Sequence, residues 1–483
     1  MKEGMNYING QWRPASHGAC FEHRNPADLT EVTGVHADST VEDVREAFSA
    51  AWRAFPIWRA TPPTERAKFL RAALVAMERH MEEIALQITM ENGKTLAESH
   101  AEIQSAVAEM DFQIGEGLRL YGKTIPSAMA GVFAYSIRQP LGVVSVITPW
   151  NFPWNVPVRK CTPALMAGNT VVFKPASLTP GVGRLFTKLL AEAGLPRGVM
   201  TFLTGAGSAV GNEMVQNPHV RAISFTGSTA VGRAILESAS HSLLRTQLEM
   251  GGKNPAIILA DANVDLAAEA CAKAAFACAG QWCTSTSRVI VENSVHDGLL
   301  QRIVQLARAI RVGNGHHPTT QMGPVCGEKQ RDSILSYIDI GKKEGAALVC
   351  GGGRPAEHGL DRGCFIEPTV FAEVDPGMTI AQEEIFGPVI VMIRVRSLEE
   401  AISVANGVPY GLSASVFTKD IGSALQFAEQ IQAGVTHVNI MTAYKEPALC
   451  FGGFKCSGVG LPEAGQTGIQ FFTDEKVVYV RGE

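Results

Sequence analysis

Charge is scarce in this chain: 18% of its 483 residues are Asp, Glu, Lys or Arg, against roughly a quarter in an average soluble domain. The charges it has form no run of one sign, and the formal net charge is −5. That excludes the basic surface of a dedicated nucleic-acid binder and the polybasic patch of an anionic-membrane binder. Cysteine is sparse and scattered: the 10 residues make no CxxC pair and no Cys/His cluster at zinc-ligand spacing, which argues against a disulfide framework and against a metal site. No apolar run approaches the roughly 18 residues of a membrane span, and the opening MKEGMNYINGQWRP lacks a basic region ahead of an apolar one. A reducing cytoplasm is the expected location, with no membrane partner. No internal repeat, low-complexity tract or Pro/Gly/Ser linker is evident. What the chain has in quantity is apolar residues, 46% of the total, and a length that corresponds to roughly three structural units at about 150 residues each.

The apolar residues are patterned. Leu70, Leu74, Met77, Met81, Ile84 and Ile88 recur at spacings of three and four among charged residues, which predicts one amphipathic helix over 64–91 after the start signal Thr-Pro-Pro-Thr. From about residue 141 the texture changes to short β-branched runs: LGVVSVITPW, NTVVFKP, VMTFLTG, VRAISFTGS and NPAIILA. Helical stretches such as GVGRLFTKLLAEAG and STAVGRAILESAS lie between them. Buried strands alternating with helices predict an α/β fold with a parallel sheet, and a doubly wound nucleotide-binding domain first. A second α/β series follows GGKNPAIILAD, with the small-residue helix DLAAEACAKAAFACAG and strands at SRVIVEN, ALVCGG, VIVMIRV and ASVFTK, so two domains are expected to meet near residue 251. Segment 122–140 interrupts the pattern and reads either as an excursion hairpin for subunit contacts or as a connecting loop.

Several residues carry chemistry. GAGSAVG at 205–211 follows a strand-like run and precedes a helical one, as a dinucleotide phosphate turn would. Its Gly205, Gly207 and Gly211 are spaced GxGxxxG, however, and a glycine turn between strand and helix is structurally ordinary. The next run ends in FTGST, where Thr226 to Thr229 open a further helix able to face a pyrophosphate with N–H groups and hydroxyls. Cys283, in AGQWCTS, ends the small-residue helix, and Gly280 lets the backbone turn there; a lone cysteine is more often inert core. Glu249, in LEMGGKNP, stands between an apolar run and a diglycine, a place where a carboxylate needs a task or a salt-bridge partner.

With TPWNFP at 148–153, VVFKPAS at 171–177 and EEIFGPV at 383–389, these segments make the chain resemble the NAD(P)-dependent aldehyde dehydrogenases nearly end to end. The motifs stand in that family's order, and Cys283 follows Glu249 at the spacing of its hydrolytic members. The resemblance implies an α/β subunit in three parts: a Rossmann-type nucleotide-binding domain of residues 1–121 and 141–251, a catalytic domain of 252–451, and a small β oligomerisation arm of 122–140 and 467–483. It implies Cys283 as the nucleophile that makes the aldehyde tetrahedral, and the Asn151 side-chain amide with the Cys283 N–H as oxyanion donors. Glu249 becomes the general base that activates water on the thioester, which argues against a CoA-acylating relative. By the same resemblance Lys174 meets the adenosine ribose, Gly227 and Ser228 the pyrophosphate beside Phe225, and Glu384 and Phe386 the nicotinamide. Gly207, Gly211, Ile147 and Trp150 complete the cofactor set. Ser177 stands where NAD-preferring members often have Glu, so NADP is expected to be accepted alongside NAD, or preferred. A homodimer or homotetramer is expected, and no metal.

For the aldehyde itself, Arg159 occupies the position of an arginine that holds the distal carboxylate in succinate-semialdehyde dehydrogenases, with an exposed helix arginine as the plainer alternative. Lys445 falls where many relatives place a pocket aromatic and adds a second positive charge. The family's other arginine before AGQ is replaced by Ala277 and Cys278, which weakens succinate semialdehyde. The overall texture is closer to α-ketoglutarate-semialdehyde dehydrogenases, and that aldehyde ranks first. Phe152, Trp154, Trp282 and Phe451, beside Thr284, offer stacking for an aromatic aldehyde of the benzaldehyde type as a further alternative. Cys278, Cys450 and Cys456 read as packing residues.

Overall fold

The computed structural model describes residues 4–482. The first β-branched runs become the strands Val143–Ile147, Thr170–Lys174, Met200–Phe202 and Val220–Thr226, joined by Arg245–Glu249. These five are parallel and form the centre of an eight-stranded sheet. Their apolar residues run without alternation because both faces are covered. Val144 and Val146 join one core with Trp154 and Leu165, while Val143, Val172 and Ile223 join another with Phe48 and Ile235. In space the order is Met200–Phe202, Thr170–Lys174, Val143–Ile147, Val220–Thr226, Arg245–Glu249, so the direction of winding reverses beside Val143–Ile147. That reversal opens a crevice at the carboxyl ends of two neighbouring strands, which are in register at Ile147 and Phe225. Antiparallel strands close the edges, Asn6–Ile8 with Gln11–Arg13 on one side and Gly458–Val459 on the other.

After Glu249 the diglycine Gly251–Gly252 leads into a seven-stranded sheet. Its order is Ala347–Cys350, Thr369–Ala372, Val389–Val395, Thr286–Glu292, Asn254–Ile258, Ser413–Phe417 and Val435–Val438, parallel except at the Ala347–Cys350 edge. Gly251 has no room for a side chain, since a Cβ there would stand 1.9 Å from Glu384 Oε2. Segment 122–140 supplies Thr124–Ile125 and Val132–Pro140, which pair with Thr473–Arg481 in a three-stranded antiparallel arm. The piece from 467 opens inside a helix, Gly465–Phe471, before that last strand begins.

One predicted element differs. The stretch 64–91 is two helices, Pro63–Arg79 and Met81–Asn92, broken at His80, whose backbone (φ −101°, ψ 17°) leaves the helix while its N–H still bonds Ala76 O. Leu70, Met77, Ile84 and Ile88 remain in one core across the break. The bend lets both halves rest on the same two helices, Leu96–Leu118 and Pro180–Glu192, and apolar spacing alone does not register it. Leu96–Leu118 opens with a capping box between Thr95 and Glu98 and packs along Asn155–Met166, which brings Glu98, Glu102 and Glu109 toward the site. Among the described residues no helix is long and apolar enough to cross a membrane.

Candidate active site

A cavity of about 820 Å³ lies where the carboxyl ends of the first sheet face the loops of the second. One wall is the turn that carries Cys283. After the helix Val264–Phe276, Cys278 (φ 51°), Ala279 (φ 53°) and Gly280 (φ 68°) are left-handed in succession. For the two non-glycine residues this costs on the order of 1–2 kcal/mol each. The turn is braced at several points: Glu98 accepts from Cys278 N at 2.6 Å, Gln281 Nε2 donates to Cys278 O at 3.1 Å, and Gln281 Oε1 accepts from Cys326 N at 2.8 Å. Gly280 is obligatory in it, because a Cβ would fall 2.1 Å from Gly387 O. Stored strain at a turn that brings Cys278 and Cys283 to the lining of a cavity is characteristic of a reactive position.

Asn151 is held from both ends. The Lys94 ammonium donates to its carbonyl at 2.7 Å, and its side-chain Nδ2 donates to Gln281 O at 3.0 Å, which leaves its second amide hydrogen for a ligand. Lys94 is in turn paired with Glu102 at 2.7 Å, and both side chains are buried. The other Glu102 oxygen accepts from Trp154 N at 2.8 Å and Asn155 N at 3.0 Å, capping the helix Asn155–Met166 that follows the Asn151 loop.

Glu249 ends its strand buried, with Oε2 unpartnered and no Lys, Arg or His among the described residues within 4 Å. The salt-bridge alternative is therefore absent. Burial, then the nearby Glu463, push its carboxyl well above the ordinary carboxylate range, against an opposing pull from Lys160, Arg159 and the Gly453 N–H. Burial also pushes the Cys283 thiol up to about 12, with the Arg159 charge pulling it down. A thiol held that high needs a base to take its proton as it attacks.

Arg159 lines the same cavity, but not as the exposed helix arginine or the free fork that the sequence suggested. It is 6% exposed. Nη1 donates to Glu463 Oε1 at 2.8 Å and Nη2 to Asn155 Oδ1 at 2.6 Å, Nε faces Glu109 Oε2 at 3.5 Å, and the Phe451 ring lies 5.1 Å away. Lys160 takes the second Glu463 oxygen at 2.8 Å, and Lys445 pairs with Glu109 at 3.1 Å. Burial raises Glu463, but the Lys160 and Arg159 charges outweigh it and hold it well below the usual carboxylate range.

Toward the first sheet the cavity becomes the crevice of the winding reversal. Gly227 and Ser228 line it, and Ser228 caps the helix Thr229–Ser240, so free N–H groups face inward. Thr148 Oγ1 and Thr226 Oγ1 are buried there without a partner. Trp150 and Phe386 meet edge to face at 5.4 Å, and Glu384, raised to about 7 by burial against the Gly252 N–H at 3.0 Å, closes the wall. Ile147, Phe225 and Lys174 stand at the ends of neighbouring strands just outside the cavity. Ser177 donates to Gly205 O at 3.2 Å beside the π-helical turn Gly207–Gly211. Burial lowers Lys174 to about 8. Helix N-terminus, orphaned hydroxyls and aromatic wall together fit an extended phosphate-bearing group. Among the described residues no cluster of three His, Cys, Asp or Glu is placed to hold a metal.

The cavity thus gathers Asn151, Trp150, Phe152, Arg159, Gly227, Ser228, Glu249, Trp282, Cys283, Thr284, Glu384, Phe386, Lys445 and Phe451 from distant segments. Two expectations are corrected. Trp154 is wholly buried against Phe186 at 5.7 Å and lines no part of the cavity, so it offers no stacking surface. Cys450 is exposed and Cys456 half-buried, 3.5 Å from an Arg233 nitrogen, and of the three only Cys278 is buried, at the lining of the cavity. Sequence reasoning missed Lys94, Glu102, Glu109, Lys160, Gln281 and Glu463. The one available signal was Lys160 following Arg159 in an otherwise apolar helix.

Comparison with known proteins adds independent findings. The model of the aldehyde dehydrogenase family matches residues 12–478. An α-ketoglutaric semialdehyde dehydrogenase of Bacillus subtilis (strain 168) is 42% identical over 477 residues, covering 99% of this chain and 98% of its own. An α-ketoglutarate semialdehyde dehydrogenase of Haloferax volcanii is 42% identical over 475 residues, covering 98% of each. The crystal structure of a betaine aldehyde dehydrogenase from Staphylococcus aureus in complex with NAD+ superposes with a TM-score of 0.96 at 35% identity, covering 99% of this chain and 95% of that one.

Proposed function

Since the chain belongs to the aldehyde dehydrogenase family, as an oxidoreductase acting on aldehydes with NAD or NADP, we propose that Cys283, Asn151 and Glu249 carry its chemistry and that its substrate is a carboxylated semialdehyde. The observation that carries this reading is the convergence of those three side chains on one cavity at the mouth of the nucleotide crevice. Cys283 Sγ adds to the aldehyde carbon while its proton passes to the ionised fraction of Glu249. The oxygen that gains charge is met by the free Asn151 amide hydrogen and the Cys283 N–H, fixed in place before reaction. Gly227, Ser228, Trp150, Glu384 and Phe386 would hold NAD(P) beside this carbon, where the bound cofactor would supply the hydride acceptor. Glu249 releases the thiol proton to solvent, then takes a proton from the water that attacks the thioester, and returns it to Sγ as the acid leaves.

The cofactor is held, in this reading, by Lys174, Ser177, the 205–211 turn, Gly227 and Ser228, with Ile147, Trp150, Phe225, Glu384 and Phe386 around it. A serine at 177 puts no carboxylate against a 2′-phosphate, which supports use of NADP as well as NAD. Phe152, Trp282, Thr284 and Phe451 surround the aldehyde, and Arg159 and Lys445 give its wall a positive character. The similar proteins named for α-ketoglutarate semialdehyde support that aldehyde first, with succinic semialdehyde next. We assign residues 1–121 with 141–251 to cofactor binding, 252–451 to catalysis and 122–140 with 467–483 to subunit contact. The exposed Phe133, Val477, Tyr479 and Val480 of the arm support a homodimer or homotetramer. Unpaired cysteines throughout support a cytoplasmic location.

The test is a set of initial rates of reduced-cofactor formation with α-ketoglutarate semialdehyde, succinic semialdehyde, pentanal and benzaldehyde, each with NAD and NADP. The anionic aldehydes are expected to lead in kcat/KM; a lead by pentanal or benzaldehyde overturns the substrate reading. Cys283→Ala is expected to abolish turnover while cofactor binding persists, and retained dehydrogenase activity overturns the mechanism.

A further inference from the structure

We propose that Lys445, and not Arg159, receives the distal carboxylate of the substrate, and that Arg159 is a positioning residue that holds Glu463 and Asn155 in the cavity wall. This rests on the carboxylated-semialdehyde reading. The case against Arg159 is geometric. A guanidinium grips a carboxylate through two parallel N–H groups on one edge, and here each nitrogen already faces a group of the protein: Nη1 on Glu463, Nη2 on Asn155, Nε toward Glu109. Its side chain is 6% exposed, and one face is covered by Phe451. Each Nη keeps one further hydrogen, but the guanidinium cannot turn an edge to a substrate without giving up Glu463 or Asn155 and leaving that group buried and unpaired.

Lys445 is differently placed. Its side chain is 23% exposed, while that of Lys160 is fully buried. One N–H lies on Glu109 Oε2 at 3.1 Å and a second reaches Asn155 Oδ1 at 3.4 Å, so the third is free for the cavity that Lys445 lines. An ammonium is a compact point charge and needs no bidentate edge to hold a carboxylate. The charge count supports the same end. Arg159, Lys160 and Lys445 face two carboxylates, Glu109 and Glu463, across ion-pair distances. Glu249 makes no ion pair with them, and burial with Glu463 pushes its carboxyl above the ordinary range. One positive charge is left over, and its exposed end is the Lys445 ammonium. A single carboxylate completes the cluster, and Glu109 remains paired with Arg159 when Lys445 turns to it.

The experiment measures kcat/KM for α-ketoglutarate semialdehyde over that for pentanal in the wild type, Lys445→Met and Lys445→Arg. In Lys445→Met this ratio is expected to fall about tenfold or more, through KM for the anionic aldehyde, the worth of one charge-assisted hydrogen bond. Lys445→Arg, which restores a cation, is expected to keep most of the ratio and so separates charge from folding. A wild-type ratio well above one that persists within about twofold in Lys445→Met overturns the assignment alone. A wild-type ratio near one overturns the carboxylated-semialdehyde reading and this assignment with it.

Discussion

Replacing Lys94 by Met separates folding from catalysis at the Asn151 loop. Lys94 and Glu102 are 1% and 0% exposed and 2.7 Å apart, and the ammonium also covers the Phe152 ring at 4.1 Å. Removing one partner of such a pair strands the other charge in the interior, which costs about 3–5 kcal/mol of stability. The double variant Lys94→Met/Glu102→Gln removes both charges. It retains an acceptor for the Trp154 and Asn155 N–H groups, so most of that loss is expected to return. Activity is expected to behave otherwise. The Asn151 carbonyl has lost its clamp in both variants, and the oxyanion donor is free to drift. Loss of an oxyanion donor costs about 10²–10³ in rate, and a displaced one about tenfold to a hundredfold. The assays are denaturant midpoints for stability, the pre-steady-state burst of reduced cofactor for acylation, and hydrolysis of an activated ester without cofactor as a second oxyanion readout. Stability restored with the burst and ester rates still low is the expected pattern. A double variant that recovers all three, or a Lys94→Met enzyme with a normal burst, refutes the positioning role.

Two further outcomes follow from charges at opposite ends of the site. Ser177→Glu places a carboxylate beside the glycine turn at Gly205, where it repels a 2′-phosphate; kcat/KM with NADP is expected to fall at least tenfold relative to NAD, and an equal effect on both cofactors contradicts this. Burial, then the Arg159 charge, lowers Lys445 to about 8, against the opposing pull of Glu109 and Glu463. Raising pH through that value removes the ammonium charge, so kcat/KM for an anionic aldehyde is expected to decline relative to a neutral one over that range. A ratio that stays flat from one pH unit below to one above removes Lys445 from recognition.

Legibility in the sequence followed the range of the interaction. Strands such as Val143–Ile147 and Thr170–Lys174 were readable because burial on both faces demands an unbroken apolar run. The glycine at 280 was readable as the mark of a turn, but what requires it is the close approach of Gly387 O, since Cys278 and Ala279 adopt the same left-handed backbone without being glycine. The break at His80 was not readable, because the same apolar spacing serves one straight helix or two bent ones on a common core. Arg159 shows the deeper limit. Its identity pointed to a carboxylate, and it does meet one, but Glu463 lies 304 positions along the chain and nothing local to either residue announces the pair. Lys94 and Asn151, 57 positions apart, are hidden in the same way.

The carboxylates around Arg159 also bear on how the half-buried Cys283 thiol tolerates a charged wall. Arg159 pulls the Cys283 thiol toward its thiolate, a form exposed to oxidation before any aldehyde arrives. Glu384, Glu463 and Glu249 oppose that pull, and burial sets the resting thiol high. In the proposed mechanism attack then depends on Glu249, whose ionisation is opposed by burial and by Glu463 and helped by Lys160 and Arg159. Burial and Glu463 thus raise both groups and Arg159 lowers both, while the ion pairs leave one cation over on the cavity side. A neutral side chain at position 159 would leave Glu463 to Lys160 and Glu109 to Lys445 and remove the surplus. The arginine is thus needed for the charge that recognises the substrate even though it does not touch it.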